Sequence, residues 1–207
     1  MLKDIVKPIL LLDLGWGNLG AMKYFFYRLG YPVLVLNLND YLNRSHDKNI
    51  VVIPGIGSAH DINKINKKKM LFLKQKLTNE RLVLGVCLGM QLLCNNLIEA
   101  NTNGLNIFDL NVTRLKYSGN EKPNIGYRSV VIGVDENIDF YFCHAYGVKI
   151  NTTKKNKLIK IFPYLEFGSQ QPKYAAIIRK DNFIGMQFHP EKSGEVGLNF
   201  IRDLLNE

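Results

Sequence analysis

Two short runs in this 207-residue chain carry side chains able to do covalent chemistry: Gly85-Val86-Cys87-Leu88-Gly89 and, far downstream, His189-Pro190-Glu191. A cysteine between two glycines, at the end of an apolar run and the start of a helical pattern, fits a strand-to-helix turn that presents a nucleophile. The glycines remove Cβ atoms where the backbone must bend sharply. A thiol just ahead of a helix sees the positive end of its dipole and several unpaired N–H groups, which favour the thiolate. Those N–H groups, that of Leu88 first, can also hold an oxyanion. Pro190 disfavours a helical backbone at His189, so the triplet is expected to be extended, with His189 and Glu191 pointing to the same side. The imidazole can then accept the thiol proton and return it to a leaving group, while Glu191 orients the ring and stabilises its charged form. Taken singly, each residue has a plainer reading, since most cysteines are packed as small hydrophobes and a histidine before proline is an ordinary turn residue. The two runs together point to a Cys-His-Glu triad.

The surrounding pattern shows how such groups could be positioned. Apolar runs at 9–14, 33–36, 50–53 and 81–86 read as buried strands. Between them lie helical patterns. The first is capped by Asn18, carries Ala21, Met22, Phe25, Phe26 and Leu29, and stops at Gly30; the second runs over about 58–77; the third follows Cys87 with Leu88, Leu92, Leu93 and Leu97 at helical spacing. Alternating strands and helices predict an α/β fold, a doubly wound and mostly parallel sheet with helices on both faces and sites at the carboxyl ends of the strands. The turn Pro54-Gly55-Ile56-Gly57 and the Cys87 elbow both follow strands, so they are expected on one edge of the sheet. Gly55 and Gly57 either serve the turn alone or let backbone N–H groups approach an oxyanion opposite Leu88, and their place beside the nucleophile favours the second. From Leu105 onward the pattern changes to short strand-like runs at 110–115, 129–134, 140–146, 158–162, 174–179 and 183–188. Lys180-Asp181-Asn182 reads as a hairpin connection. An antiparallel set added to the parallel core is therefore expected to return His189 towards Cys87, before a closing helix that turns Val196, Phe200 and Leu204 and, on the adjoining rows, Leu198, Ile201 and Leu205 to the core.

Composition narrows the function classes. Apolar residues make up 46% of the chain, enough for one substantial core, and a single domain over 1–207 is expected. Cys87, Cys94 and Cys143 are an odd number without metal-ligand pairing, so neither a disulfide framework nor a metal site is expected, and Cys94 and Cys143 read as core. No run has a signal peptide's pattern or membrane-spanning length, which predicts a cytoplasmic protein with no membrane contact. The 27 basic and 18 acidic residues give a formal charge of +9. The lysines group at 64, 67, 68, 69, 74 and 76 and again at 154, 155, 157 and 160 with few aromatics between them, the pattern of solvated faces rather than of a nucleic-acid groove.

Gly85-Val86-Cys87-Leu88-Gly89-Met90-Gln91 with Phe188-His189-Pro190-Glu191-Lys192-Ser193 resembles the class I glutamine amidotransferases, whose domain uses a Cys-His-Glu triad to release ammonia from glutamine. Residues 13–19, Pro54-Gly55-Ile56-Gly57 and Tyr141-Phe142-Cys143-His144-Ala145-Tyr146 are similar, within that family, to the glutaminase subunits of imidazole glycerol phosphate synthases. The motifs extend over essentially the whole chain, so the resemblance leaves no room for a fused synthase domain. It implies that Cys87 attacks the carboxamide carbon, His189 shuttles protons and Glu191 orients His189. Leu88, Gly55 and Ile56 would supply the oxyanion donors, and Gln91 with the backbone of His144, Ala145 and Tyr146 would hold glutamine. No cofactor is implied. The ammonia would pass to a (β/α)8 cyclase subunit in a heterodimer serving histidine biosynthesis, with Asn18, Tyr127, Tyr141 and Lys192 near the partner. His144, in an aromatic strand, reads as a packed contact residue rather than a second base.

One segment departs from the family pattern. Where the family usually has Pro-His-Met-Gly-Trp-Asn, this chain has Pro123-Asn124-Ile125-Gly126-Tyr127-Arg128. The proline and glycine keep the expected turn, Tyr127 keeps an aromatic ring, and Arg128 adds charge on the side that faces the partner. A paralogous glutaminase feeding another acceptor, such as a sugar amidinated for a surface polysaccharide, is the alternative this segment raises. Two readings from other classes also stand beside the resemblance, a cysteine hydrolase of the peptidase or chaperone kind and a noncatalytic binding subunit. Hydrolases of that kind commonly place a histidine directly after the nucleophile, where this chain has Leu88.

Overall fold

Continuous burial along the first strands sets the architecture. In a computed structural model describing residues 7–45, 48–117, 120–132, 137–150, 159–164 and 174–206, strands β1 (Ile9–Asp13), β2 (Val33–Asn37), β3 (Ile50–Ile53) and β4 (Leu82–Val86) pair in parallel in the order β2-β1-β3-β4. Successive side chains point to opposite faces. Ile9, Leu11, Val52 and Leu84 enter one apolar cluster, and Leu10, Leu12, Val51 and Val83 enter another. Every one of these strands except the edge strand β2 is therefore apolar on both faces.

Helices cover both. Helix α1 (Leu19–Arg28) starts where the Asn18 side chain accepts from Ala21 N–H at 3.0 Å, and it stops at Gly30, whose φ of 85° suits a residue without Cβ. Its Met22, Phe25 and Phe26 pack on the first cluster with Leu198 and Ile201 of the C-terminal helix. The second cluster is covered by α2 (Leu38–Asn43), α3 (Lys67–Thr78) and α4 (Leu88–Leu93). The helix expected over 58–77 is split: Ala59–Lys64 form a 3₁₀ turn, Ile65 is extended, and Asn66 restarts the chain as α3 by accepting from Lys69 N–H. An Asx cap in mid-segment competes with helix continuation, and the apolar spacing did not register it. The helix after Cys87 is also shorter than expected, for Cys94 is extended and Leu97 lies in the short strand β5 (Asn96–Leu97).

Beyond α4 the chain makes a long excursion. Strand β5, with β6 (Thr102–Asn103), β7 (Asn111–Arg114) and the later β12 (Tyr146–Val148), forms a separate sheet in the order β12-β7-β5-β6, and β8 (Lys116–Tyr117) pairs with β9 (Asn120–Glu121). Strands β10 (Asn124–Val131), β11 (Asn137–His144), β13 (Lys160–Tyr164) and β14 (Tyr174–Lys180) extend the main sheet antiparallel, and β15 (Phe183–Met186) closes it as the parallel neighbour of β4. Among the described residues the result is a nine-stranded sheet, a doubly wound parallel α/β core with the added antiparallel strands that the sequence predicts. The 123–128 segment is not a turn: Asn124 to Arg128 are paired with β11, and Gly126, at φ 112°, is accommodated within the strand. Residues 154, 155 and 157 of the second lysine group, and the ends of two expected strands at 134 and 158, lie outside the described residues. The last element is α5 (Gly194–Asn206), which buries Leu198, Ile201, Leu204 and Leu205, whereas Val196, expected on its core face, is exposed because the buried stripe starts one residue later.

Close backbone contact locks α4 onto the sheet. A Cβ on Gly89 would overlap the carbonyl of Ile53, and one on Gly85 would lie 2.8 Å from Gly89 O. Gly89→Ala is expected to destabilise the fold by roughly 2 kcal/mol or more through overpacking, lowering the melting temperature by about 4–8 °C. Gly20→Ala, on α1, where the added carbon meets only Asn18 Oδ1 at 3.7 Å, should be neutral or stabilising. Equal melting temperatures for the two variants in a thermal scan would contradict this account of α4 docking.

Candidate active site

Register brings the two sequence runs together. In the β4–β15 pair Val86 lies opposite Met186, and Cys87 N–H donates to Met186 O at 2.7 Å. The chain leaving β15 therefore emerges beside the elbow, and three residues later it places His189. The Cys87 backbone sits at φ 52° and ψ −106°, a region that costs a residue with a Cβ about 1–3 kcal/mol. Gly85, Gly89 and the strand-to-helix junction hold it there, and Leu88 begins α4 immediately after it.

Cys87, His189 and Glu191 converge. His189 Nδ1 lies 2.8 Å from Glu191 Oε1, both side chains almost fully buried. Cys87 is the other group whose interaction acts on the His189 ring. Burial opposes a charged imidazole here, but the hydrogen bonds and charges of Cys87 and Glu191 outweigh it and raise the His189 pKa to about 10. The route to this geometry differs from the extended triplet expected: His189 is extended, at φ −103° and ψ 96°, but Pro190–Lys192 form a 3₁₀ turn that folds Glu191 back onto the ring. Proline at the first position of a helical turn loses no hydrogen bond, and that preference overrides strand alternation. Ser193 secures the turn. Its hydroxyl donates to His189 O at 2.7 Å and accepts from Tyr141 N–H at 3.0 Å, while His189 N–H donates to Tyr141 O at 2.8 Å.

The glycine loop after β3 lies directly against the elbow. A Cβ on Gly55 would stand 2.5 Å from Gly89 N and Leu88 Cβ, so only glycine allows the approach. Gly55 and Leu88 are thus neighbours, as the common sheet edge requires, while the Ile56 side chain is 40% exposed. On the opposite side Gly17 presses on Pro54 and Gly55. Asn18 is occupied as the cap of α1. Cys87 itself is only 6% exposed.

A buried polar chain runs behind the sulfur. Gln91 Nε2 donates to Tyr146 O at 2.9 Å and to Gln187 Oε1 at 3.3 Å, and Gln187 Nε2 donates to Cys87 Sγ at 3.5 Å. His144 Nδ1 is 2.8 Å from the same Tyr146 carbonyl, so this nitrogen carries the proton, and Nε2 accepts from Asn124 Nδ2 at 3.2 Å. Burial pushes His144 down to about 4, against the pull of the Tyr146 carbonyl, and the charges of His189 and Arg128 add to the depression. It is a neutral, packed ring against Phe142 and Tyr164. The Ala145 carbonyl is taken by Leu115 N–H at 2.9 Å. Cys143, expected in the core, is exposed: β11 turns residues 140, 142 and 144 inward, so 143 falls on the other face. Cys94 is fully buried, as expected.

The rim is aromatic. Tyr127 and Tyr141 meet edge to face at 5.6 Å, Lys192 Nζ lies 5.7 Å from the centre of the Tyr141 ring, and Tyr127 hydroxyl donates to Lys192 O at 3.2 Å. Arg128 folds along its own strand, donating to Tyr127 O at 2.6 Å and Ile125 O at 3.4 Å. Ile125 and Tyr127 are more than half exposed. Gln187 and Ser193 were not singled out from the sequence. The signal for Gln187 was available, since a residue two before His189 on a strand parallel to β4 must lie beside the elbow.

A family model for glutamine amidotransferase class-I matches residues 10–206. The imidazole glycerol phosphate synthase subunit HisH of Blochmanniella pennsylvanica is 32% identical, with 95% of this chain and 98% of that protein covered, and HisH of Staphylococcus aureus is 30% identical over 95% and 96%. Among solved structures, a glutamine amidotransferase superposes with a TM-score of 0.69 at 14% identity, covering 96% and 98% of the two chains. PurLQS from Thermotoga maritima does so with 0.67 at 16%, covering 98% and 99%. These two structures share the fold; the model match and the HisH relatives go further, and the chain belongs to the class I glutamine amidotransferase family of enzymes.

Proposed function

We propose that the chain is the glutaminase subunit of an imidazole glycerol phosphate synthase, acting as one domain in the cytoplasm. The observation that carries the chemistry is the buried Cys87–His189–Glu191 constellation on adjacent parallel strand ends. The relatives at 30–32% identity over 95% of the chain support the pathway.

In this reading an imidazolium beside the sulfur draws negative charge onto it, and Cys87 attacks the carboxamide carbon of glutamine. The π electrons of the carbonyl pass to oxygen, and the oxyanion is met by Leu88 N–H and by the loop of Gly55 and Ile56. Collapse expels ammonia, which takes its proton from His189. Water then adds to the thioester with His189 as base, the C–S bond breaks, and glutamate leaves. Gln91 and the backbone at His144, Ala145 and Tyr146 hold the substrate. The ammonia enters a (β/α)8 cyclase partner docked on the Tyr127, Tyr141 and Lys192 rim, with Asn18 on the same side. Cys87, 6% exposed on a strained elbow, is reached by substrate when the site opens, and a partner that favours the open state would confine turnover to conditions in which ammonia is used.

Glutamate release measured with the cognate barrel partner and its phosphorylated ribulosyl aminoimidazole ligand should exceed that of the isolated chain. Cys87→Ala should lower it by about 10³-fold or more. Release that survives Cys87→Ala, or that needs no partner, defeats the respective half of the reading. Activity with a sugar-amidinating partner but not with the cyclase would instead favour the reading raised by the segment from Asn124 to Arg128.

The pH response follows from His189, whose pKa is raised from 6.5 to about 10 with Glu191 among the contributors. Removing that charge lowers the pKa, so the imidazolium is lost at lower pH. Glu191→Gln is expected to shift the alkaline limb of the kcat profile to lower pH and to reduce kcat. A limb that stays in place would show that Glu191 does not set the protonation of the base.

A further inference from the structure

Gln187 is the last residue before Phe188-His189, and no part of its surface reaches solvent. Its backbone is fixed by a bond from its N–H to Ala176 O at 2.8 Å. An amide buried this deeply costs free energy unless its polar atoms are matched. The oxygen is matched by Gln91 Nε2, which is itself anchored on Tyr146 O. Since Gln91 can only donate through that nitrogen, Gln187 must present its oxygen to Gln91 and its own nitrogen to the other side. On that side, at 3.5 Å, is Cys87 Sγ.

We propose that Gln187 is a further catalytic residue, its side-chain N–H donating to the Cys87 sulfur and stabilising the thiolate before attack. The proposal rests on the reading of Cys87 as nucleophile. A neutral thiol is a weak acceptor and a thiolate a strong one, so a donor fixed against the sulfur favours the charged form over the neutral. His189 supplies charge on one side of the sulfur; Gln187 supplies an uncharged donor on another, and it keeps its hydrogen throughout. The same contact acts twice. When water has added to the thioester and the C–S bond breaks, the electron pair returns to sulfur and meets the same N–H. Because the donor is held through Gln91, a residue proposed to contact glutamine, the sulfur and the substrate pocket share one rigid amide chain.

Gln187→Met, which keeps the length and removes the donor, and Gln187→Glu, which puts an acceptor against the sulfur, test this in the complex with the synthase partner. Loss of a hydrogen bond to a charged atom should lower kcat for glutamate release roughly 10- to 100-fold. Alkylation of Cys87 by iodoacetamide, followed on the Cys87 peptide by mass spectrometry so that Cys94 and Cys143 do not interfere, should require higher pH in both variants. Unchanged kcat and an unchanged alkylation profile in a folded variant would overturn the proposal, as would a rise in KM alone, which is what mere support of Gln91 predicts. Should both variants fail to fold, the unsubstituted protein decides: the Gln187 side-chain amide resonance should move with ionisation of Cys87 and lose that response on alkylation, and a static resonance rejects the contact. Cys87→Ala separates the two readings. If it retains glutaminase activity the nucleophile assignment fails, whereas an inactive Cys87→Ala beside fully active Gln187 variants removes only the role of Gln187.

Discussion

The pairing of β4 with β15 is the constraint on which the rest of the site depends. Parallel neighbours end on the same edge of a sheet, so Val86 opposite Met186 fixes the distance between two loops that are a hundred positions apart in sequence. A slip of one residue would carry Gln187 along the sheet edge away from Cys87 and part the sulfur from its neighbours. Register is protected by burial on both faces: Val83, Leu84 and Val86 enter apolar clusters above and below, as Phe183, Ile184 and Met186 do on the partner strand. The glycines serve the same end. Gly85 and Gly89 let α4 lie on the sheet, and Gly55 lets the loop after β3 lie on α4, so three elements meet at backbone distance around one sulfur.

That geometry sets the electrostatics. Within one small region the sequence produces two histidines with opposite behaviour, His189 raised to about 10 and His144 lowered to about 4. Both are buried. The difference lies in their partners, since His189 faces a carboxylate and a thiol while His144 faces a carbonyl, an amide and the positive charges of its neighbours. The contrast assigns the roles better than position does: one ring can hold and move a proton at neutral pH, and the other serves as a fixed donor and acceptor.

What was legible in the sequence follows the same division. Strands buried on both faces are continuous apolar runs, which is why the segments at 9–14, 50–53 and 81–86 read correctly to within a residue or two and why the doubly wound core could be inferred. The elbow was legible because a strand, a helix and two glycines flank Cys87 within a few positions. Less was readable where local hydrogen bonding competes with periodicity. Asn66 interrupts a long amphipathic pattern by capping α3, Pro190 starts a 3₁₀ turn where alternation was expected, and the Pro123 and Gly126 pair looked like a turn although β11 recruits the segment as a strand. Cys143 shows the limit within a strand, where an apolar residue on the wrong parity is exposed whatever its chemistry.

The rim and the core of the site are under different physical demands, and this bears on the unusual segment at 124–128. Asn124 points inward and completes the hydrogen bonding of His144, so the asparagine in place of the family's histidine still supplies a donor to a buried ring nitrogen. Ile125 and Tyr127 point outward, and the changes there alter surface and leave the core's bonding intact. Along β10, Asn124 is therefore held to a hydrogen-bonding requirement, Ile125 and Tyr127 lie on the exposed parity, and Arg128, on the parity of Asn124 but only half-buried, spends its donors on the carbonyls of Tyr127 and Ile125. Tyr127 joins rim and core. Its hydroxyl donates to the carbonyl of Lys192, the residue after Glu191, so the exposed Tyr127 ring is tied to the turn that aims Glu191 at His189.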